Sequence, residues 1–285
     1  MSHQVETLAT TITDLAKAGL EGHRAECRQV FVELRHALST GHVRAAEPDP
    51  ASPTGWKVNT WVKQGILLGF RSGVMVDVSA DHGRFGFFDK DTLPLKRITM
   101  DCNVRVVPGG SAIREGAFVG RGVICMPPMY INIGAYVDEC ALIDSHALVG
   151  TCAQIGKKVH ISAGAQIGGV IEPVGAMPVI IEDDVLVGGN TGIYEGAVIK
   201  RRAVIGAGTI LTASTPVYDL VKDRIIKAEP GHPIVIPEGA VVVPGARSVT
   251  AEPGRKWGIS LATPVIVKYR DDHTDARTEL EKWIR

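Results

Sequence analysis

Few side chains in this chain have the means to do chemistry, and most of them fall between residues 105 and 212. Asp144 and His146 stand close together in Ile143-Asp144-Ser145-His146. A carboxylate can hold an ammonium group and an imidazole titrates near neutrality, so these are residue types that can take a proton from an amine. Arg105 offers the planar fork that grips carboxylates. Glu195 precedes Gly196, and His160 sits in Val159-His160-Ile161-Ser162. Each also has a plainer reading. Asp144 follows an aliphatic residue and can be a surface carboxylate, Arg105 a solvated loop arginine, Glu195 a turn residue and His160 a structural one. The five cysteines, Cys27, Cys102, Cys125, Cys140 and Cys152, form no Cys-x-x-Cys or Cys-x-x-His pair. No metal site is expected from them, and a reduced, cytoplasmic protein is the default.

These residues are positioned by a repeat. Ile113, Val119, Cys125, Ile131, Val137, Ile143, Val149, Ile155, Ile161 and Ile167 recur at a spacing of six. The pattern resumes at Ile181 and runs through Val187, Ile193, Ile199, Ile205 and Leu211, with further units at Ile236 and Val242. Four residues after most of these stands a small or β-branched residue, among them Ala117, Ala135, Ala147, Ala165, Thr191 and Ala203, with Met129 the misfit. A period of six fits neither a helix nor one long strand; it is the period of a hexapeptide parallel β-helix. Each hexad then supplies a short strand and a corner, and three hexads close one triangular turn. The first residue points inward and the small residue lies near a corner. About eighteen hexads give about six turns, a prism roughly 29 Å tall. Gly120, Gly134, Gly150, Gly156, Gly168, Gly188 and Gly206 are expected at corners that need positive φ.

Ahead of the prism, Leu8, Ile12, Leu15 and Ala16 form one helical stripe stopped at Gly19, and Cys27, Val30, Phe31, Leu34 and Leu38 form a second stopped near Gly41. Residues 47–55 read as a turn-rich linker. Trp56–Val58 reads as a strand, Trp61–Leu68 as a helix capped by Asn59 or Thr60, and Val74–Val78 and Phe85–Phe88 as short strands. Two excursions interrupt the repeat, 173–178 and 216–233, the second carrying Tyr218, Lys222, Arg224, Lys227 and His232. Loops that leave a regular scaffold often cover a ligand. Gly258–Tyr269 reads as strand and Thr274–Trp283 as a helix. The fold class expected is mainly β: a parallel β-helix over 105–250, a small α+β domain over 1–104, and a short C-terminal strand and helix over 251–285. Lys and Arg number 31, as do Asp and Glu, so no charge surplus points to nucleic acid or a membrane surface. The first twenty residues lack the pattern of a signal peptide.

The wording of the hexads is more specific than their spacing. Arg-Val-Val-Pro at 105–108, Asn-Ile-Gly-Ala-Tyr-Val-Asp-Glu at 132–139, Cys-Ala-Gln-Ile-Gly-Lys-Lys-Val-His-Ile-Ser at 152–162, Ile-Gly-Gly-Val-Ile-Glu-Pro at 167–173 and Ile-Ile-Glu-Asp at 180–183 follow Trp-Val-Lys-Gln-Gly-Ile-Leu-Leu-Gly-Phe-Arg at 61–71. Together, from about Val43 to Lys268, they resemble the tetrahydrodipicolinate N-succinyltransferases of the succinylase route to lysine. The resemblance implies a left-handed prism and a homotrimer with acyl-CoA in the groove between adjacent prisms. It also implies succinyl transfer from succinyl-CoA to the amine of 2-amino-6-oxopimelate, an amino dicarboxylate. The family's substrate arginine falls on Arg105 and its catalytic, substrate-contacting aspartate on Asp144. The donor's pantetheine is expected near Gly206, Ala207, Gly208 and Thr212.

One region departs from the family pattern. Asp144-Ser145-His146 stands where Asp-Thr-Trp is usual, and Gly188-Gly189-Asn190-Thr191-Gly192 where Gly-Ala-Arg-Ser-Glu is usual. That glutamate is the family's second catalytic carboxylate, provided by the neighbouring subunit, and Gly192 has no side chain in its place. Asn190 and Gly192 thus mark an altered substrate pocket, and His146 and Glu195 are candidates for a replacement base. The pattern suggests a divergent relative, such as the succinyltransferase-like protein of tabtoxin biosynthesis, with succinyl-CoA and acetyl-CoA both open as donor. A trimeric binding scaffold that has lost catalysis is the alternative from another class. A γ-carbonic anhydrase arrangement is not supported by His146 and His160.

Overall fold

The computed structural model describes residues 3–80, 85–229 and 231–270. The hexads become a three-faced prism of two-residue parallel strands. The first face stacks Phe118–Val119, Tyr136–Val137, Gln154–Ile155, Ile180–Ile181, Val198–Ile199 and Val235–Ile236. The second stacks Arg105–Val106, Ile124–Cys125, Leu142–Ile143, His160–Ile161, Leu186–Val187 and Val204–Ile205, and continues into Ala240–Ser248. The third stacks Ala112–Ile113, Tyr130–Ile131, Leu148–Val149, Gln166–Ile167, Gly192–Ile193 and Ile210–Leu211. The second residue of these pairs points inward, and Ile143, Ile155, Ile161, Ile167 and Val187 are fully buried. Coils join through backbone bonds such as Asp144 N–H to Ile161 O at 2.9 Å and Gly188 N–H to Ile205 O at 2.7 Å.

The corners explain the rest of the hexad. After the inward residue the chain makes a four-residue turn, closed at Asp144–Ala147 by Ala147 N–H donating to Asp144 O at 3.1 Å. The third turn residue has positive φ: Gly134, Cys140, His146 (61°), Cys152, Lys158, Gly164, Asp184, Asn190 (54°), Arg202 and Gly208. An L-residue there costs about 1–2 kcal/mol, and each fully buried aliphatic contributes roughly 1.5–3 kcal/mol, so the repeat tolerates side chains at many corners. Of the glycines singled out from sequence, only Gly134 has positive φ. Gly120, Gly150, Gly156, Gly168, Gly188 and Gly206 occupy the first turn position instead. At Gly156 an added Cβ would lie 2.6 Å from Asp183 N of the next coil; glycine stands there because the coils pass too closely for a side chain.

The N-terminal region packs onto the prism. Helices α1 (His3–Ala18), α2 (Arg24–Ser39) and α3 (Thr60–Ser72) bury Ile12, Phe31, Leu34 and Ile66 together with Ile133 and Cys152 from prism corners. Burial pushes the Cys152 thiol up to about 12. Residues 44–58 cover the first face. Arg44 lies 3.6 Å from the Tyr136 ring centroid and donates to Gln154 Oε1 at 3.0 Å, while Trp56 Nε1 donates to Glu182 Oε1 at 2.9 Å. The second and third faces carry outward Ile124, Leu142, Leu186 and Val204, and Tyr130, Leu148 and Ile210, all half-buried or exposed.

Several sequence expectations shift. Helix α3 runs four residues past Leu68, because Leu68 and Gly69 pack in the same core as Ile66. Asn59 stands at its N-cap, but its Nδ2 donates to Arg44 O at 2.9 Å and the helix has no side-chain cap. The strands expected at Val74–Val78 and Phe85–Phe88 are Met75–Asp77 and Phe88–Lys90, in antiparallel register. The 216–233 excursion contains a hairpin, Val217–Asp219 with Arg224–Ile226, which extends the second face's sheet through Ser260–Tyr269. Arg105 is not in a loop; it pairs with Ile124 as the first rung of the second face. The helix expected at Thr274–Trp283 lies outside the described residues.

The two glycine classes respond differently to alanine. Gly156→Ala forces a Cβ into the next coil's backbone and is expected to cost about 3 kcal/mol or more. Gly208→Ala meets open space and pays only for positive φ, about 1–2 kcal/mol. Urea denaturation of both variants checks the order; equal or reversed costs would contradict this view of the corners.

Candidate active site

The prism places the candidate residues on two edges. The edge between the second and third faces carries Asp144–His146, Ser162–Gly164, Gly188–Asn190 and Gly206–Gly208 on successive coils. Arg105 lies on the second face two coils from Asp144, about 10 Å along the prism. The edge between the third and first faces carries Gly168–Val170, Tyr194–Gly196 and Thr212. Asp144 and His146 thus come together with Asn190 two coils away, while Glu195 and Thr212 belong to the other edge.

Asp144 is half-buried. Its Oδ1 accepts the Ser145 N–H at 2.7 Å, and Asn132 and Asp138 make the same bond at their own corners. This local bond uses one oxygen and leaves the other for a ligand. His146 is exposed at a positive-φ corner, with its N–H donating to Pro128 O at 2.6 Å. Asn190 is exposed at the equivalent corner, and Asn and His are among the residues that best tolerate positive φ. The backbone donors near the expected donor site are partly spent: Gly206 N–H bonds Val242 O at 2.7 Å, and Gly208 N–H bonds Gly189 O at 2.9 Å.

Within one chain Glu195 does not lie beside Asp144. Its corner differs from the others because Glu195 (52°) and Gly196 (75°) both have positive φ. Its carboxylate reaches the following coil, where Oε2 accepts the Ala213 N–H at 2.6 Å.

The residue that sequence reasoning missed is Tyr194. Gly192 lies buried on the third face because the Tyr194 ring covers it. A Cβ at 192 would lie 2.9 Å from the phenol oxygen, and one at Gly168 would lie 2.8 Å from Tyr194 Cδ1. The ring therefore occupies the space a side chain at 192 would need. An available signal was its type: the one aromatic at a first turn position of the hexads between 114 and 212. Tyr194 also walls a 580 Å³ cleft with Gly168, Gly169, Pro173, Glu195 and Thr212. The 173–178 excursion forms its far wall, held by the buried Lys63, whose ammonium donates to Ala176 O at 2.5 Å. Burial lowers the Lys63 pKa. Among the described residues no group of three His, Cys, Asp or Glu could hold a metal ion, and no helix is long and apolar enough to cross a membrane.

Comparison with known proteins matches both halves of this architecture. Residues 7–72 match the tetrahydrodipicolinate N-succinyltransferase N-terminal model, and residues 178–213 match the hexapeptide repeat of succinyl-transferase model. The helical cap and the prism together define a hexapeptide-repeat transferase. The 2,3,4,5-tetrahydropyridine-2,6-dicarboxylate N-succinyltransferase of Nitrobacter winogradskyi is 38% identical over 98% of both chains. The enzymes of that name from Rhodopseudomonas palustris and Acinetobacter baylyi are each 38% identical, over 92% of this chain and 91% and 90% of theirs. The chain belongs to this family of acyltransferases. A solved hexapeptide-repeat acetyltransferase of Vibrio cholerae, complexed with acetyl-coenzyme A, superposes with a TM-score of 0.32 at 18% identity, over 53% of this chain and 72% of that one, too low to bear on the site.

The Tyr194 ring makes position 192 a coupled one. Gly192→Glu alone is expected to cost about 1–3 kcal/mol, since the ring must be displaced. Adding Tyr194→Val should recover about 1 kcal/mol or more of that loss in a double-mutant cycle. Strict additivity of the two unfolding free energies would mean that the ring does not fill the space.

Proposed function

We propose that the chain is an acyl-CoA-dependent N-acyltransferase. It transfers succinyl, with acetyl the alternative, to the amine of ring-opened tetrahydrodipicolinate or a related amino dicarboxylate. The observation that carries this reading is 38% identity over 98% of the chain to an enzyme named for that reaction. The neutral amine nitrogen attacks the thioester carbonyl, the C–N bond forms, the C–S bond breaks, and the proton lost by nitrogen passes through a base to the departing thiolate. Asp144 holds the ammonium and takes its proton through the carboxylate oxygen its corner leaves free. Arg105, exposed on the same side of the prism, grips a substrate carboxylate bidentately.

The active form is a homotrimer in this reading. Its support is the outward apolar residues of the second and third faces, Ile124, Leu142, Leu186 and Val204 with Tyr130, Leu148 and Ile210, interrupted by His160 and Gln166, since soluble monomers rarely expose large apolar patches. The first face is already covered by this chain's own residues 44–58. Asp144 and Tyr194 lie on different edges, so a site that uses both draws them from neighbouring subunits.

The acceptor differs in detail from that of the named relatives. Gly192 under Tyr194, with Asn190 and His146, replaces three family side chains in one pocket. A phenol in place of a carboxylate donates a hydrogen bond at neutral pH and does not serve as a ready base there. This favours a changed acceptor with Asp144, or His146 beside it, as the base. The same substitutions favour, as a second reading, a trimeric scaffold without turnover. Coenzyme A release from succinyl-CoA and from acetyl-CoA, measured over a panel of amines including tetrahydrodipicolinate, separates the two readings. No release with any amine would reject the enzyme.

Asp144→Asn is expected to lower turnover at least tenfold, because a positioned base is typically worth about 10²–10⁴-fold. Coenzyme A binding by calorimetry should be unchanged. Activity within a few-fold of wild type would remove Asp144 from the base role.

A further inference from the structure

A second cavity, of 370 Å³, lies beyond the cleft at the end of the prism where the C-terminal strands begin. Among the described residues its polar lining is Ser214, Tyr218, Lys227 and Arg247, with no Asp or Glu. Arg247 Nε is buried, and it has no hydrogen-bond partner among the described residues. Leaving a buried guanidinium N–H unpaired is costly, and an anion is the ligand that relieves the cost. Neither Arg247 nor Lys227 has a carboxylate partner among the described residues.

The walls are built from paired strands. Arg247 stands on Ala240–Ser248, which is antiparallel to Ser260–Tyr269. Tyr218 stands on Val217–Asp219, pinned by Thr263 Oγ1 donating to Pro216 O at 2.7 Å. Asp219, the buried acid next to Tyr218, is occupied elsewhere. It accepts from Tyr269 OH at 2.7 Å, from Arg224 Nε at 3.1 Å and from the Lys222 N–H at 3.1 Å. Those bonds hold its carboxyl below the usual range against the opposing effect of burial. The hairpin thus keeps its own carboxylate out of the cavity and presents Lys227 to it.

We propose that this cavity binds a phosphate group. Two cations and two hydroxyls without an acid suit a doubly charged tetrahedral oxyanion. The position suits the phosphates of the acyl donor. Ala213 and Ser214 wall the cavity, and Thr212, the residue before them, walls the 580 Å³ cleft. A coenzyme A molecule anchored at Arg247 and Lys227 would run along this edge toward Tyr194. That placement rests on the acyl-CoA reading above; the phosphate site itself does not.

The experiment compares wild type with Arg247→Met and Lys227→Met by calorimetry against coenzyme A, pantetheine and inorganic phosphate, with circular dichroism confirming that each variant folds. Each variant is expected to weaken coenzyme A binding about tenfold or more and to leave pantetheine unchanged. Loss of phosphate binding in the variants with coenzyme A binding unchanged would assign the site to a free phosphate ion. Coenzyme A and phosphate binding both unchanged in the variants would overturn the site. If wild type binds phosphate but no coenzyme A, the acyl-CoA reading fails and the phosphate site stands.

Discussion

Everything in this molecule depends on one coil of backbone hydrogen-bonding to the next at a fixed rise. That requirement sets the six-residue period, because each hexad must contribute one inward aliphatic and one turn that brings the chain to the next face. It sets the glycines, because the first turn residue of one coil lies against the backbone of the coil above. It also sets what the site can be. Side chains at one turn position stack along an edge at about 4.8 Å per coil, so His146 and Asn190, two coils apart, are held in one column on rigid backbone. A change of chemistry in such a scaffold is a change of residue type at a corner, with the backbone left as it was.

The site bears this out. His146 and Asn190 are tolerated because both suit a positive-φ corner, and Gly192 is tolerated because Tyr194 fills the space beside it. The ring of one neighbour fills the space that the other leaves. A glycine at 192 with a small residue at 194 would have left the third face bare. A tyrosine over a glycine seals it.

The prism was legible in the sequence because its period is long, strict and unlike any helix or strand. The helical stripes at Ile12 and at Phe31 were legible for the same reason. Less was legible where packing overrides local pattern. Helix α3 continues past Leu68 because its last turn is buried, and the hairpin at Val217–Ile226 was hidden because its strands pair with Ser260–Tyr269, far away in sequence. The glycine corners were misread because lack of a Cβ and positive φ leave the same letter in the sequence. For the proposed site, positions 105, 144, 146, 190 and 192 were singled out through resemblance. Tyr194, Lys63 and Arg247 were not read as site residues, since their roles come from what lies across a cleft from them.

One chain presents two apolar faces, and the groups proposed to act together lie on different edges. The proposed trimer resolves both at once. Sedimentation equilibrium over a wide concentration range tests it most directly. The expected result is a single species of three times the 30.4 kDa chain mass; a monomer independent of concentration would contradict the composite site.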